Sequence, residues 1–165
     1  MELNEFNVMA KKLGAEGSKI IDTDTIITAP WTILKCRYGC PNYNTSPCCP
    51  PLTPTYKEMQ EVIDCYKKAI LINTKKYDKT TGIIVKLERE IFLTGFYKAF
   101  GLGSGSCKLC TKCNKEKCNN KVDARPSMEA CGIDVFQTAK NNGFNIEVLN
   151  DKEAEQNSYG IVLIE

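Results

Sequence analysis

The stretch "AILIN", residues 69–73, is a continuous apolar run between two lysines on one side and a threonine and two lysines on the other. A short apolar run of this kind has the composition of a buried strand. It therefore predicts a buried β-strand. Three further segments have the composition or the alternation of strands: "SKIIDTDTIIT" (18–28), "FNIEVLN" (144–150) and "GIVLIE" (160–165).

Helical periodicity surrounds these strands. Thr55 and Glu58 have the spacing of a capping box, which marks the start of a helix. Gly143 is a suitable helix terminator. Apolar residues at helical spacing, including Leu87 and Phe92, predict one long helix with a broad buried face. The predicted helices cover residues 3–13, 55–66, 81–100 and 126–142.

The order of these elements indicates the fold class. Strands and helices mix without a regular alternation, so we predict an α+β fold in which a small sheet is packed by three or four helices. Two cysteine-rich loops interrupt the pattern, and we expect both to bind metal. The chain of 165 residues is long enough for one domain and too short for two full ones, so residues 1–165 form a single predicted domain.

Charge and composition exclude several classes of protein. The formal net charge of +2 is too small to indicate a nucleic-acid or membrane surface. No stretch approaches the apolar length of a membrane span. The first residues, "MELNEFNVMAKKLG", carry acids where a secretory signal carries bases, and no apolar core follows. We therefore expect a cytoplasmic protein.

Ten cysteines and no histidine are the chemical signature of this chain. A reducing compartment disfavours structural disulfides, so clustered thiols in a cytoplasmic protein indicate metal ligation. The first group lies in residues 36–54, where five prolines predict an irregular loop. The first group consists of Cys36, Cys40, Cys48 and Cys49, and the second of Cys107, Cys110, Cys113 and Cys118.

The spacing of the second group favours an iron–sulfur cluster. Residues 107–118, "CKLCTKCNKEKC", follow the pattern C-x2-C-x2-C-x4-C. Structural zinc sites commonly use two C-x2-C pairs separated by a longer spacer, whereas three thiols at successive three-residue steps approach the bacterial ferredoxin run. The pattern differs from that run by one extra residue before Cys118 and by the lack of a proline after it. We expect a [4Fe–4S] cluster here, with zinc as the alternative.

The first group is less regular. Cys48 and Cys49 are adjacent, and adjacent side chains point in different directions, so both seldom bind one ion. Cys36, Cys40 and one of the adjacent pair could hold a second centre, with the other thiol packed or acting as a fourth ligand. The alternative is a proline-rich loop with buried thiols. We expect the two centres to be independent because their loops are far apart in sequence.

Two isolated cysteines and a glycine run need separate interpretation. Cys65 falls on a predicted helix, where packing is a better interpretation than ligation, and Cys131 is either a packed thiol or a neighbour of a cluster. The glycines of "GLGSGS" (101–106) do not follow a predicted strand, and no further glycine stands at the position that a phosphate-loop motif requires. We expect them instead to let the backbone approach the cluster closely.

Three motifs in order resemble a known family. "KCRYGCPNYNTSPCCPPLTPT", "GLGSGSCKLCTKC" and "ARPSMEACGIDV" are similar to the predicted metal-binding protein family (domain of unknown function 2284) over nearly the whole chain. The resemblance implies iron–sulfur or metal binding, without a known reaction. It implies a second-motif ligand set of Cys107, Cys110, Cys113 and Cys118, and a first-motif set of Cys36, Cys40 and Cys49. Cys48 and Cys131 lie outside that pattern.

Three functions are consistent with these observations. The first is a ferredoxin-like electron carrier with one or two [4Fe–4S] clusters and a redox partner protein. The second is an enzyme whose open iron binds a small substrate, as in sulfur transfer, with Lys35, Arg37 and Lys112 near an anion. The third is a zinc-stabilised adaptor. The absence of histidine excludes triads that depend on it. We expect no nucleic-acid and no membrane partner.

Overall fold

The structure is a computed structural model that describes residues 2–151 and 153–165, without the side chain of Tyr77. Within those residues it has five α-helices, four strands and two short 3-10 helices at Thr23–Thr25 and Glu129–Cys131. The helices are α1 (Glu5–Lys12), α2 (Thr32–Gly39), α3 (Tyr56–Ile63), α4 (Tyr77–Leu93) and α5 (Val135–Asn141). The strands are β1 (Gly17–Asp22), β2 (Lys68–Thr74), β3 (Phe100–Leu102) and β4 (Ser158–Leu163).

The strands form one antiparallel sheet in the order β1-β2-β4-β3. The apolar run of β2 lies inside this sheet, with Ile70 opposite Ile20 of β1 and opposite Val162 of β4. Ile70, Leu71 and Ile72 are all fully buried. Burial of each such side chain stabilises the fold by roughly 1.5–3 kcal/mol relative to an exposed position. The continuous apolar run therefore reflects a strand covered on both faces.

Two helical layers cover the two faces of the sheet. On one face, α1 and α4 pack with Phe6, Ile84 and Leu87 against Ile72 and Val162. On the opposite face of the sheet, the alternate residues of the strands pack with residues of α3, α5 and the 3-10 turn at 129–131. Because strand side chains alternate between faces, each strand supplies both cores. The cysteine loops lie outside these layers and are joined to them at their ends.

Helix α4 approaches the sheet closely because three glycines face it. A Cβ atom at Gly160 would lie 2.6 Å from Ile84 Cγ1, and Cβ atoms at Gly101 and Gly103 would overlap Ile84 and Thr81. We expected these loop glycines to let the backbone approach a cluster. The structure corrects this for Gly101 and Gly103, whose missing side chains make room for α4.

The predicted α+β class is confirmed, and so are several of its elements. The run at 69–73 lies within β2, and strands are present within 18–28 and 160–165 as β1 and β4. The predicted capping box is also present. The Thr55 side chain accepts a hydrogen bond from the Glu58 backbone N–H, and the Glu58 carboxylate accepts one from the Thr55 N–H at 2.7 Å.

Other boundaries were predicted wrongly. The loop at 36–54 begins inside α2, and the helix predicted for 81–100 runs from Tyr77 to Leu93. Phe92, which was predicted on its buried face, is half exposed. The helix predicted for 126–142 is broken at Gly132, whose φ of +84° is left-handed and whose neighbour is the Tyr56 backbone. No strand forms at 144–150 among the described residues. The exposed thiol of Cys65 also contradicts a packed position.

None of the helices within residues 2–151 and 153–165 combines the length and the apolar composition that crossing a membrane requires.

Two glycine variants test the close approach of α4. Gly103→Ala places a methyl group into Thr81 and should lower the free energy of unfolding by about 1–3 kcal/mol. Gly82→Ala is the matched control. Gly82 lies on α4 next to Thr81, and a Cβ atom there would have no atom within 4 Å outside the neighbouring helix backbone. It should raise stability by about 0.5–1 kcal/mol. Urea unfolding measures both, and equal effects from the two variants would contradict the packing argument.

Candidate metal centre

The first cysteine loop is shaped by helix α2 and a tight turn. Cys36 lies on α2 and Cys40 directly follows that helix. Asn44 adopts a left-handed conformation with φ of 59°, and its N–H donates to the Pro50 carbonyl at 2.8 Å. This turn folds the loop back on itself. Its effect on the thiols is that Cys48 and Cys49 are buried whereas Cys40 is exposed.

The second cysteine loop is an excursion closed at its base by backbone hydrogen bonds. The Gly103 N–H donates to the Pro126 carbonyl at 2.8 Å, and the Met128 N–H donates to the Gly103 carbonyl at 3.1 Å. Between these residues the chain forms no helix and no ladder strand. The Asn114 side chain accepts hydrogen bonds from two following backbone N–H groups, which turns the chain before Cys118. The fixed base leaves the thiols on a short, irregular loop.

A largely covered ion pair fixes the far end of that loop. Arg125 donates from Nε and Nη2 to the Glu88 carboxylate at 2.7 and 2.6 Å, with side-chain exposures of 12% and 13%. The hydrogen bond that Arg125 donates to Glu88 is the main cause of the raised pKa of Arg125. Arg125 also donates to the carbonyls of Lys121, Val122 and Ala124. One side chain therefore joins the end of the loop to α4.

A chain of hydrogen-bonded hydroxyl groups fixes the start of the second cysteine loop. Thr74 and Thr80 share a hydrogen bond of 2.8 Å, Thr80 donates to Ser158 at 3.1 Å, and Ser158 donates to the Ser104 hydroxyl at 2.7 Å. The Ser104 N–H donates to Thr81 at 3.2 Å. The chain connects β2, α4 and β4 to the residue that begins the second loop.

The structure brings the two cysteine loops together. Burial is the largest cause of the raised pKa of Cys48, to about 12, and the thiol of Cys107 and the charge of Cys118 add to it. Lys115 of the second loop donates to the backbone and side-chain oxygens of Asn44 at 3.0 and 3.3 Å. Thiol groups that are distant in sequence are therefore neighbours in space. Two centres built from these loops would be adjacent, so the distance in sequence does not make them independent.

The adjacent cysteines have partly different neighbours. Cys36 has a raised pKa, mainly through burial, with contributions from Cys40, Glu129 and then Cys49. Cys48 instead interacts with Cys107 and Cys118. The separation is incomplete, because Cys49 also contributes to the raised pKa of Cys48 and of Cys113. All eight predicted ligands therefore belong to one neighbourhood. Within it, Cys40 and Cys113 are exposed and Cys110 is partly covered.

The donor chemistry of this neighbourhood fits a soft metal, but the positions do not form a finished coordination sphere. Thiolates are the ligands that select zinc, copper(I) or iron–sulfur clusters. Among the described residues, no group of three or more cysteine, aspartate or glutamate side chains stands in position to hold one ion. The Asn120 amide donates to the Cys110 sulfur at 2.9 Å, a contact of the kind that surrounds metal thiolates.

The two isolated cysteines differ from each other. Cys131 is fully buried in the core, and burial raises the pKa of its thiol to about 12 with a contribution from Cys48. It is thus both packed and close to the cysteine neighbourhood. Cys65 is exposed, and its thiol donates to the Glu61 carbonyl of the preceding turn at 3.4 Å. Its position gives no support to ligation.

Residue Glu129 was not predicted from the sequence, although it lies within the motif "ARPSMEACGIDV". Surrounding protein raises the pKa of its carboxyl through desolvation, while Ser127 donates a hydrogen bond that opposes the shift. Glu129 as a whole is nevertheless exposed to solvent, and it lines two cavities. A carboxylate next to Cys36 adds an oxygen group to a site that the sequence suggested was all sulfur.

Comparison with known proteins identifies the family of the chain. The profile of the family described as predicted metal-binding protein (DUF2284) matches residues 19–164. The chain therefore belongs to that family, as its three motifs indicated. Neither the curated proteins nor the solved structures contain a significant match.

Replacing one partner tests the ion pair at the end of the second loop. Arg125→Met leaves the Glu88 carboxylate mostly buried and unpaired, which should cost about 3–5 kcal/mol of unfolding free energy. Lys68→Met breaks the exposed pair between Lys68 and Asp22, whose side chains are 38% and 61% exposed, and should leave the free energy of unfolding almost unchanged because solvent screens that pair. Urea unfolding compares the two, and similar losses would show that the Glu88 pair has no special structural role.

Proposed function

We propose that this metal-binding protein is an iron–sulfur redox protein that passes single electrons to a partner protein in the cytoplasm. The observation that carries the proposal is the run of Cys107, Cys110, Cys113 and Cys118 on a loop closed at both ends. Its spacing approaches that of cluster-binding ferredoxins. A [4Fe–4S] cluster, when bound, would supply a one-electron carrier.

The residues of the chain contribute charge neutralisation and burial to such a centre. Metal ligation requires thiolates, so binding at Cys48 would release the proton that burial now retains on a thiol with a pKa of about 12. The Asn120 N–H at Cys110 would favour the more negative state of a sulfur ligand. Lysines at positions 108, 112, 115 and 117 surround the same run. Their positive charge would offset the negative charge of a thiolate-bound cluster.

The position of the thiols supports electron exchange at a surface. Cys40 and Cys113 are exposed, while their neighbours in both groups are partly or fully covered. Next to Cys36, the outer face of α2 exposes Trp31, Leu34 and Tyr38 by 44%, 54% and 78%. An apolar surface of this kind beside a redox centre supports docking of a partner protein. We place the redox partner there.

The neighbour relations also support a division into two adjacent centres. We assign Cys36, Cys40 and Cys49 to one centre and the second-loop cysteines to the other. Cys48 joins the second-loop centre in this proposal, because its thiol neighbours are Cys107 and Cys118. Adjacent residues that point in different directions would then serve different centres.

A second candidate is a cluster-dependent enzyme. The first loop offers three cysteines, and the Glu129 carboxyl interacts with Cys36 beside an open cavity. A three-cysteine centre would leave one iron available to a small sulfur-bearing substrate. The third possibility, a zinc-stabilised adaptor, requires only the thiols and no redox chemistry.

The first test removes one ligand of the second loop. Cys110→Ser should lose about four iron atoms and an equal amount of acid-labile sulfide per chain, when the protein is purified without oxygen. Cys65→Ser is the matched control, because its thiol is exposed and donates to the Glu61 carbonyl. It should retain full iron content. Stoichiometric zinc in the wild-type protein would favour the adaptor, and unchanged iron in Cys110→Ser would refute this ligand assignment.

The second test separates the adjacent cysteines. Cys49→Ala should change the electron spin resonance signal of the first-loop centre, and Cys48→Ala that of the second-loop centre, in dithionite-reduced protein. Cys131→Ala serves as the control for loss of a buried thiol in contact with the same region. Loss of the same signal from both variants would contradict two centres and indicate a single one shared by both loops.

A further inference from the structure

The segment at residues 144–150 has the composition of a strand but belongs to no sheet. Within residues 2–151 and 153–165, no hydrogen bond involves a backbone N–H or C=O group of residues 146–149. Glu147, Val148 and Leu149 are exposed to solvent. Unpaired N–H and C=O groups along a segment of this composition are a template for pairing with another chain. What the segment lacks is a neighbouring strand.

Apolar side chains are grouped beside this unpaired backbone. The segment and Phe136 of α5 line a cavity of about 550 Å³, in which Phe136, Val148 and Leu149 are 40%, 76% and 41% exposed. Phe144 and Ile146 precede Val148 at alternate positions and pack against the core. Because alternate side chains of a strand share one face, pairing would continue that apolar face through Val148. Grouped apolar side chains on a surface indicate contact with another chain.

The charge of the cavity indicates which chain would pair there. Among the described residues, its lining contains the exposed carboxylates of Glu129 and Glu147 and no lysine or arginine. The ion pairs found in residues 2–151 and 153–165 involve other acids. Pairing two copies of the segment would bring their Glu147 carboxylates together, and like charges on neighbouring strands are destabilising. The charge therefore favours a basic chain over a second copy of this one.

We propose that residues 146–149 and the cavity beside them bind an extended peptide segment in which lysine or arginine alternates with apolar residues. The peptide would add a strand to residues 146–149 through backbone hydrogen bonds. Its apolar side chains would cover Val148 and Phe136, and its basic side chains on the other face would lie near the carboxylates. Binding of this kind requires neither a metal nor the proposed redox function.

Three capped pentapeptides test the charge and the backbone pairing separately. VKVKV is the probe, VEVEV has the opposite charge, and VKVKV methylated on alternate backbone nitrogens lacks the hydrogen-bond donors of one edge. Isothermal titration of the anaerobically purified protein should show VKVKV binding at least about ten-fold more tightly than either control. Amide hydrogen exchange at residues 146–149 should slow when VKVKV is bound. Equal binding of either control peptide, or no binding of VKVKV, would overturn the proposal.

Variants of the protein test the location of the peptide. Proline lacks an N–H group, and alternate N–H groups of a strand face one edge, so at least one of Val148→Pro and Leu149→Pro should lose about ten-fold in affinity for VKVKV. Val148→Ala and Leu149→Ala keep the N–H group and are the matched controls. Glu147→Gln should weaken VKVKV by about three-fold, whereas Glu61→Gln on α3 should not. Full affinity in both proline variants would refute this location.

Sedimentation equilibrium tests whether a second copy occupies the segment instead. The mass of the protein without peptide should be the same for the wild type and both proline variants. A wild-type dimer that Val148→Pro or Leu149→Pro dissociates would show that a second copy pairs there, and would overturn the proposal. Iron content measured on the same samples should be unchanged by these variants, so the peptide site and the proposed function fail independently.

Discussion

The carboxylate of Glu88 joins three parts of the molecule that are separate in sequence. On α4, it accepts hydrogen bonds from the Gly101 N–H of β3 and from Arg125 at the end of the second cysteine loop, all at 2.6–2.7 Å. The Arg125 guanidinium also lies 5.0 Å from the centre of the Phe100 ring. Removing a partner from a largely covered charge of this kind is destabilising. The edge of the sheet and the base of the loop therefore depend on one side chain.

The cysteine neighbourhood is built by these fixed ends rather than by the loops themselves. The second loop has no regular secondary structure, yet its first residue is held by a hydroxyl chain and its last by an ion pair. The first loop is fixed by α2 and by the turn at Asn44. Short irregular segments between fixed points can rearrange locally at small cost, which suits thiols that must close around a metal. Rearrangement of this kind is consistent with the lack of a finished coordination sphere among the described residues.

The parts that were predictable from sequence are those with a local cause. The strand at 69–73 and the capping box at Thr55 each follow from a few neighbouring residues. The break at Gly132 was missed because it is caused by the Tyr56 backbone, which is distant in sequence. Residues 144–150 have the composition of a strand, but the sheet edge beside β4 is occupied by β3. Glu129 was missed because its interaction with Cys36 also joins residues that are distant in sequence.

The strand order has a consequence for the synthesis of the protein. Strand β4 lies between β2 and β3 in the sheet, although it follows both cysteine loops in the chain. Ribosomes deliver residues in order at about 5–20 per second. The sheet that fixes the loops can close only after residues 158–163 have emerged. Both cysteine groups are therefore translated before the framework that holds them is complete, and each nascent chain exposes its thiols to the cell during that interval.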